Sequence, residues 1–145
     1  MNTRNVTRIV RWAFGAGFVL FGLDGFLRFL PHPPAPAAAM NFATALFATG
    51  YMFPLIKGTE VVAGALLLSN RYVPLALALL APNIVNILLF HVFLAPGGTP
   101  IAIVFLAAEL FLAWSYRDAY APMLRARVEP AAVPAHAGRT VRAAA

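Results

Sequence analysis

Four apolar stretches of about 18 to 24 residues, each closed by proline, glycine or asparagine, leave this chain few folds to choose from. At 1.5 Å of rise per residue, a helix of that length crosses a hydrocarbon core of roughly 30 Å. The chain has 145 residues, of which 61% are hydrophobic and 11% charged. A soluble domain would be roughly half apolar and a quarter charged, and here the excess is gathered into runs. The expected fold class is therefore all-α: a polytopic membrane protein built as a four-transmembrane-helix bundle, with the lipid bilayer as its first partner. Residues 1–127 are read as one membrane domain.

The spans are expected at about residues 12–30, 52–69, 72–95 and 99–121. The first stops at the proline-rich run Pro31-His32-Pro33-Pro34-Ala35-Pro36, which cannot remain helical. Asn70-Arg71 marks the turn between the second and third, and Pro96-Gly97-Gly98 closes the third. Thr99-Pro100 reads as an N-cap followed by proline at the first helical position. Between the proline run and the second span, Phe42 and Leu46 share a helical face while Asn41, Thr44 and Thr49 are polar. That pattern is read as a short interfacial helix in the first external connection, with Gly50 turning the chain into the membrane. An N-terminal extension of the second span is the competing reading.

Basic residues orient the bundle. Arg4, Arg8 and Arg11 precede the first span, Arg71 lies between the second and third, and Arg117, Arg125, Arg127, Arg139 and Arg142 follow or close the fourth. All nine fall on one side if both termini are cytoplasmic, leaving only Arg28 and Lys57 for the other half. The expected location is the cell membrane, multi-pass. A basic start followed by Trp12–Leu23 has the outline of a signal peptide. Asp24 and Arg28 interrupt it, however, and the Ala37-Ala38-Ala39 triplet lies too far downstream for cleavage, so the span is expected to be retained. Residues 128–145 are rich in Ala, Pro and Arg without periodicity and are expected to form a disordered cytoplasmic tail. The net charge of +6 sits at the chain ends rather than in an aromatic-studded patch, which argues against nucleic acid as a partner. The absence of cysteine excludes disulfides, thiol relays and thiolate metal sites.

Each span carries an acid or amide: Asp24, Glu60, Asn86 and Glu109. Ionisable side chains at bilayer depth are costly and face partners or wet cavities. Helical rise puts the four at about 9, 12, 13 and 14 Å below the outer surface, with Asn83 one turn deeper than Asn86. Arg28, Lys57 and His91 lie above them, nearer the outside. The eight residues together define an expected polar pocket in the outer half of the bundle. Asp24 and Arg28 are i, i+4 and Lys57 and Glu60 are i, i+3, so each pair can meet on one helix face. The plainer alternative is two ion pairs that lock the bundle, with the asparagines as interhelical hydrogen-bonding groups. Glu109 has no basic residue within a turn and is expected to be protonated at neutral pH unless it meets Lys57 or His91 across the bundle.

Pro82 withdraws a hydrogen bond from the Ala78 carbonyl, either opening a small cavity beside Asn83 and Asn86 or relieving packing. His91 lies about 80° around the helix from Asn83 and about 140° from Asn86, so it is expected to look toward a neighbouring helix. A structural hydrogen bond suits it better than a ligand role, and neither metal nor haem is expected. Gly15 and Gly22 share a face of the first span, and Gly64 lies one turn below Glu60, a pattern suited to close helix crossings.

The runs Phe21-Gly22-Leu23-Asp24-Gly25-Phe26, Gly58-Thr59-Glu60-Val61-Val62-Ala63-Gly64 and Pro82-Asn83-Ile84-Val85-Asn86-Ile87 leading to Phe90-His91 resemble the DoxX-like membrane proteins. The resemblance covers about residues 8 to 124. It implies a four-helix membrane bundle and an accessory or partner-binding subunit in a membrane redox or envelope process, with no catalytic residue to carry over. The alternative is binding or transport of a small molecule, quinone-like or protonatable, in the outer polar pocket. A homo-oligomer is compatible with either. No nucleophile–base pair, metal cluster or phosphate loop marks a stand-alone enzyme, and the residues name no cofactor.

Overall fold

The computed structural model describes residues 2–31 and 34–130. Among them the chain is all-helical, without strands: α1 (Thr3–Leu27), α2 (Ala37–Ala48), α3 (Met52–Leu68), α4 (Val73–Phe93), α5 (Thr99–Ser115) and a short α6 (Arg117–Tyr120). A single 3₁₀ turn, Pro96–Gly98, runs directly into α5. Three helical stretches are long and apolar enough to cross a membrane: α1, α4, and the 3₁₀ turn with α5. A fourth is added if α2 and α3, bent by 94° at their junction, count as one broken span.

The helix ends differ from the expected spans for local reasons. α1 starts nearer the N-terminus because Asn2 caps it, its side chain accepting from the Arg4 N–H at 3.3 Å. It stops at Leu27, where Arg28 takes a left-handed conformation with φ 49°. Gly50 stands at φ 75° between α2 and α3, so the continuous extension of the second span does not occur. Asn70 and Tyr72, both with positive φ, make the turn from α3 to α4. α4 runs unbroken through Pro82. Thr99 is the first residue of α5 rather than its cap, because Gly98 occupies that place. The fourth span is shorter than expected, since the backbone leaves the helix at Tyr116 before α6 forms. Of the expected disordered tail, residues 131–145 lie outside the described residues.

α1 packs most extensively on α3, α4 packs on α3 and α5, and α1 and α5 also touch. The order around the ring is thus α1–α3–α4–α5. Its apolar core is built from Phe14 and Phe18 of α1, Leu67 of α3, Leu77, Leu80 and Ile84 of α4, and Leu112 of α5. α1 meets α3 along a track of glycines. A Cβ on Gly22 would stand 2.8 Å from the Val61 side chain and 3.1 Å from the Glu60 Cβ. A Cβ on Gly25 would stand 2.7 Å from the Lys57 stem. The missing side chains on α1 are what let Lys57 and Glu60 lie flat between two helices.

Candidate functional site

Glu60 is the hub of the polar residues. Its side chain is only 2% exposed, and both carboxylate oxygens are engaged. Lys57 Nζ donates to Oε2 at 2.8 Å, and Asn83 Nδ2 donates to Oε1 at 3.1 Å from the facing helix α4. The first contact follows from i, i+3 spacing on one helix, whereas the second exists only because α3 and α4 pack together. A carboxylate so enclosed is tolerable because both of its oxygens have donors and a cation stands beside it.

This trio forms part of the wall of a cavity of about 450 Å³ between α1, α2, α3, α4 and α5. Asn86 and His91 line the same cavity. The rest of the wall is largely aromatic: Phe18 and Phe21 from α1, Phe42 from α2, Phe53 from α3, Phe90 from α4 and Phe105 from α5. α2 lies over it, with the Phe42 ring 5.7 Å from that of Phe90 and Phe47 stacked on Phe53 at 3.8 Å. Asn86 is exposed to this space and makes no hydrogen bond among the described residues.

His91 does not turn away from the asparagines, as its position around the helix predicts. The cavity extends along the C-terminal half of α4 and is broad enough to take in Asn83, Asn86 and His91 together. His91 Nδ1 donates to the Ala95 carbonyl at 3.1 Å, and the ring lies so close to Gly98 that a Cβ there would stand 2.1 Å from it. A larger residue at position 98 would therefore have to push the His91 ring aside, although the φ of −92° is ordinary.

Three of the eight expected pocket residues lie elsewhere. Asp24 is buried near the C-terminal end of α1, where its carboxylate accepts the Leu30 N–H at 2.7 Å and ties down the turn that leaves the helix. Arg28 sits one residue beyond α1 in a left-handed conformation; its N–H donates to the Asp24 carbonyl at 2.8 Å, but the two side chains form no ion pair with one another. Its guanidinium lies 5.8 Å from the centroid of the Phe47 ring on α2. Glu109 shares the buried face of α5 with Ala102 and Leu112 but stands one turn beyond Phe105, the last α5 residue on the cavity wall. It is 5% exposed, and its Oε2 has no hydrogen-bond partner among the described residues. It meets neither Lys57 nor His91, so the four polar groups do not converge on one cavity. Helical rise gives depth alone, and the rotation of each helix about its axis separates Glu109 from Glu60.

Reading the sequence also missed residues that shape the site. The Phe14, Phe18 and Phe21 series, at i, i+4 and i+7, was the available signal for an aromatic wall, and Phe105 joins it from α5. Arg11, counted only as a topology marker, is 4% exposed and donates to the Leu67 carbonyl at the end of α3. A cation there satisfies a terminal carbonyl and complements the helix dipole. No family model, curated protein or solved structure matches this chain.

Proposed function

We propose that this chain is a DoxX-like, multi-pass protein of the cell membrane that binds a small amphipathic ligand, quinone-like or protonatable, in the outer half of a four-helix bundle. The observation that carries this reading is the composition of one wall: six phenylalanines from five helices around Lys57, Glu60, Asn83, Asn86 and His91. Ligand sites are commonly concave, largely apolar and furnished with a few convergent polar groups, and volumes of about 300–1,000 Å³ are usual. Burial in a bilayer is supported by the exposure of large apolar side chains such as Leu55, Val104, Leu110 and Trp114, which water would not favour. The clustering of arginines near the chain ends and at Arg71 supports cytoplasmic termini. The sharp bend between α2 and α3 supports α2 as the interfacial helix.

The test is to extract the protein in mild detergent, denature it and identify released small molecules by mass spectrometry. An Ala43→Trp variant, which fills the cavity from α2, serves as the comparison. A compound enriched in the wild type and depleted in the variant supports the reading, and equal recovery from both sinks it. The accessory-subunit reading draws on the family resemblance and on a second apolar groove of about 480 Å³ between α1 and α5, lined by Ile9, Phe14, Val104 and Phe111. A partner's membrane helix would cover such a groove. Stoichiometric co-purification of another chain, lost in an Ala107→Trp variant, is the result that reading requires.

A further inference from the structure

Resting on the cavity reading above, we propose that the occupant is an uncharged, flat amphiphile whose polar end is a carbonyl-type acceptor, held by Lys57 and Asn86. The first ground is charge. Lys57 and Glu60 are one cation and one anion on the cavity wall, and they are already joined at 2.8 Å. A ligand ammonium at Glu60 stands beside Lys57 as a like charge, and both carboxylate oxygens already have a donor. A ligand carboxylate draws Lys57 away and strands Glu60, which is almost wholly buried. Either way one unbalanced charge is left in apolar surroundings, where charge is strongly disfavoured. A neutral ligand leaves the pair intact.

The second ground is hydrogen-bond polarity. An ammonium has three donors, and Lys57 spends one on Glu60, leaving two. The Asn86 amide brings two more N–H donors and has no partner among the described residues. His91 already spends Nδ1 on the Ala95 carbonyl. The Lys57 ammonium can donate but not accept, so the ligand atom that completes it is an acceptor oxygen, and an Asn86 N–H suits the same kind of atom. The third ground is shape. The rings of Phe18, Phe42, Phe90 and Phe105 come from four different helices, and a flat unsaturated body can meet them in offset or edge-on contact.

Three probes sharing one bicyclic body isolate the charge: 2-acetonaphthone, 2-naphthoate and 2-(aminomethyl)naphthalene. Saturable binding to the full chain in lipid nanodiscs is measured by equilibrium dialysis, with uptake by the Ala43→Trp variant subtracted to remove partition into lipid. The expected result is that the ketone binds at least about tenfold more tightly than either charged probe, and that Asn86→Leu weakens the ketone by about three- to tenfold. Glu60 takes its hydrogen bonds from Lys57 and Asn83, not Asn86, so that variant removes none of them. If the naphthoate or the amine binds as tightly as the ketone, the ligand class is overturned while the cavity stands as a binding site. Unchanged ketone affinity in Asn86→Leu overturns the role given to that residue. If no probe shows saturable binding that Ala43→Trp removes, the cavity reading itself falls.

Discussion

Gly15 and Gly64 face one another where α1 crosses α3. A Cβ added to Gly15 would stand 3.0 Å from the Gly64 carbonyl oxygen, and one added to Gly64 would stand 2.8 Å from the Gly15 oxygen. The obstacle on each side is backbone, which cannot swing aside as a flexible side chain can. Gly64→Val should therefore force the helices apart and cost about 1–3 kcal/mol. The same displacement shifts Lys57 and Glu60, which lie farther along the crossing. A Cβ on Gly58 meets nothing within 4 Å, so Gly58→Ala is the matched control. It should hold or raise the melting temperature, because alanine favours helix by about 1 kcal/mol. Thermal unfolding in detergent separates the two; equal losses would mean the crossing is not close-packed.

The two buried glutamates should respond oppositely to amide substitution. Glu60→Gln turns one acceptor oxygen into a donor that faces Lys57 or Asn83 and removes the charge that balances Lys57. The expected loss is about 1–3 kcal/mol of stability, together with ligand binding. Glu109→Gln keeps the shape in a place where one oxygen already lacks a partner, so it should change stability by less than about 1 kcal/mol. Melting temperatures of both variants decide the matter, and a larger loss at Glu109 would show that its carboxyl makes a contact the amide cannot keep.

Cytoplasmic termini predict that the connection before α2 and the turn before α5 are external. The absence of native cysteine makes single-cysteine labelling clean. Ala35 and Gly97 are the suitable positions, because a side chain at Gly97 meets nothing within 4 Å whereas one at Gly98 strikes His91. Both cysteines should react with an impermeant maleimide on intact cells, and a cysteine at Ala119 should react only after permeabilisation. The reverse pattern would invert the topology.

The steric dependence of His91 on Gly98 supplies a rescue experiment. Gly98→Ala should displace the imidazole from the Ala95 carbonyl, visible as a change in its ¹⁵N chemical shifts, and should lower stability by about 1–3 kcal/mol. Adding His91→Ala removes the clash, so the double variant should recover most of the difference between Gly98→Ala and wild type. Additive losses would mean that the two residues do not oppose one another.

Much of this architecture is legible locally. Apolar runs broken by Pro31, Gly50, Asn70 and Pro96 determine where helices form, because backbone hydrogen bonds and φ preferences act within a few residues. The Lys57–Glu60 pair is legible for the same reason, since 100° of rotation per residue sets i and i+3 on one face. What lies beyond one helix depends on how each helix is turned about its own axis. Sequence spacing does not specify that angle; close approaches such as Gly15 on Gly64 do. That rotation brings Asn83 to Glu60 and leaves Glu109 in the apolar core, while the 94° bend at Gly50 lays α2 across the cavity. Asp24 and Arg28 are equally close in sequence, yet the turn closed by the Leu30 N–H carries Arg28 out of the helix and onto Phe47. The sequence alone determined which residues are costly to bury, and the packing of the helices decided which of them share a cavity.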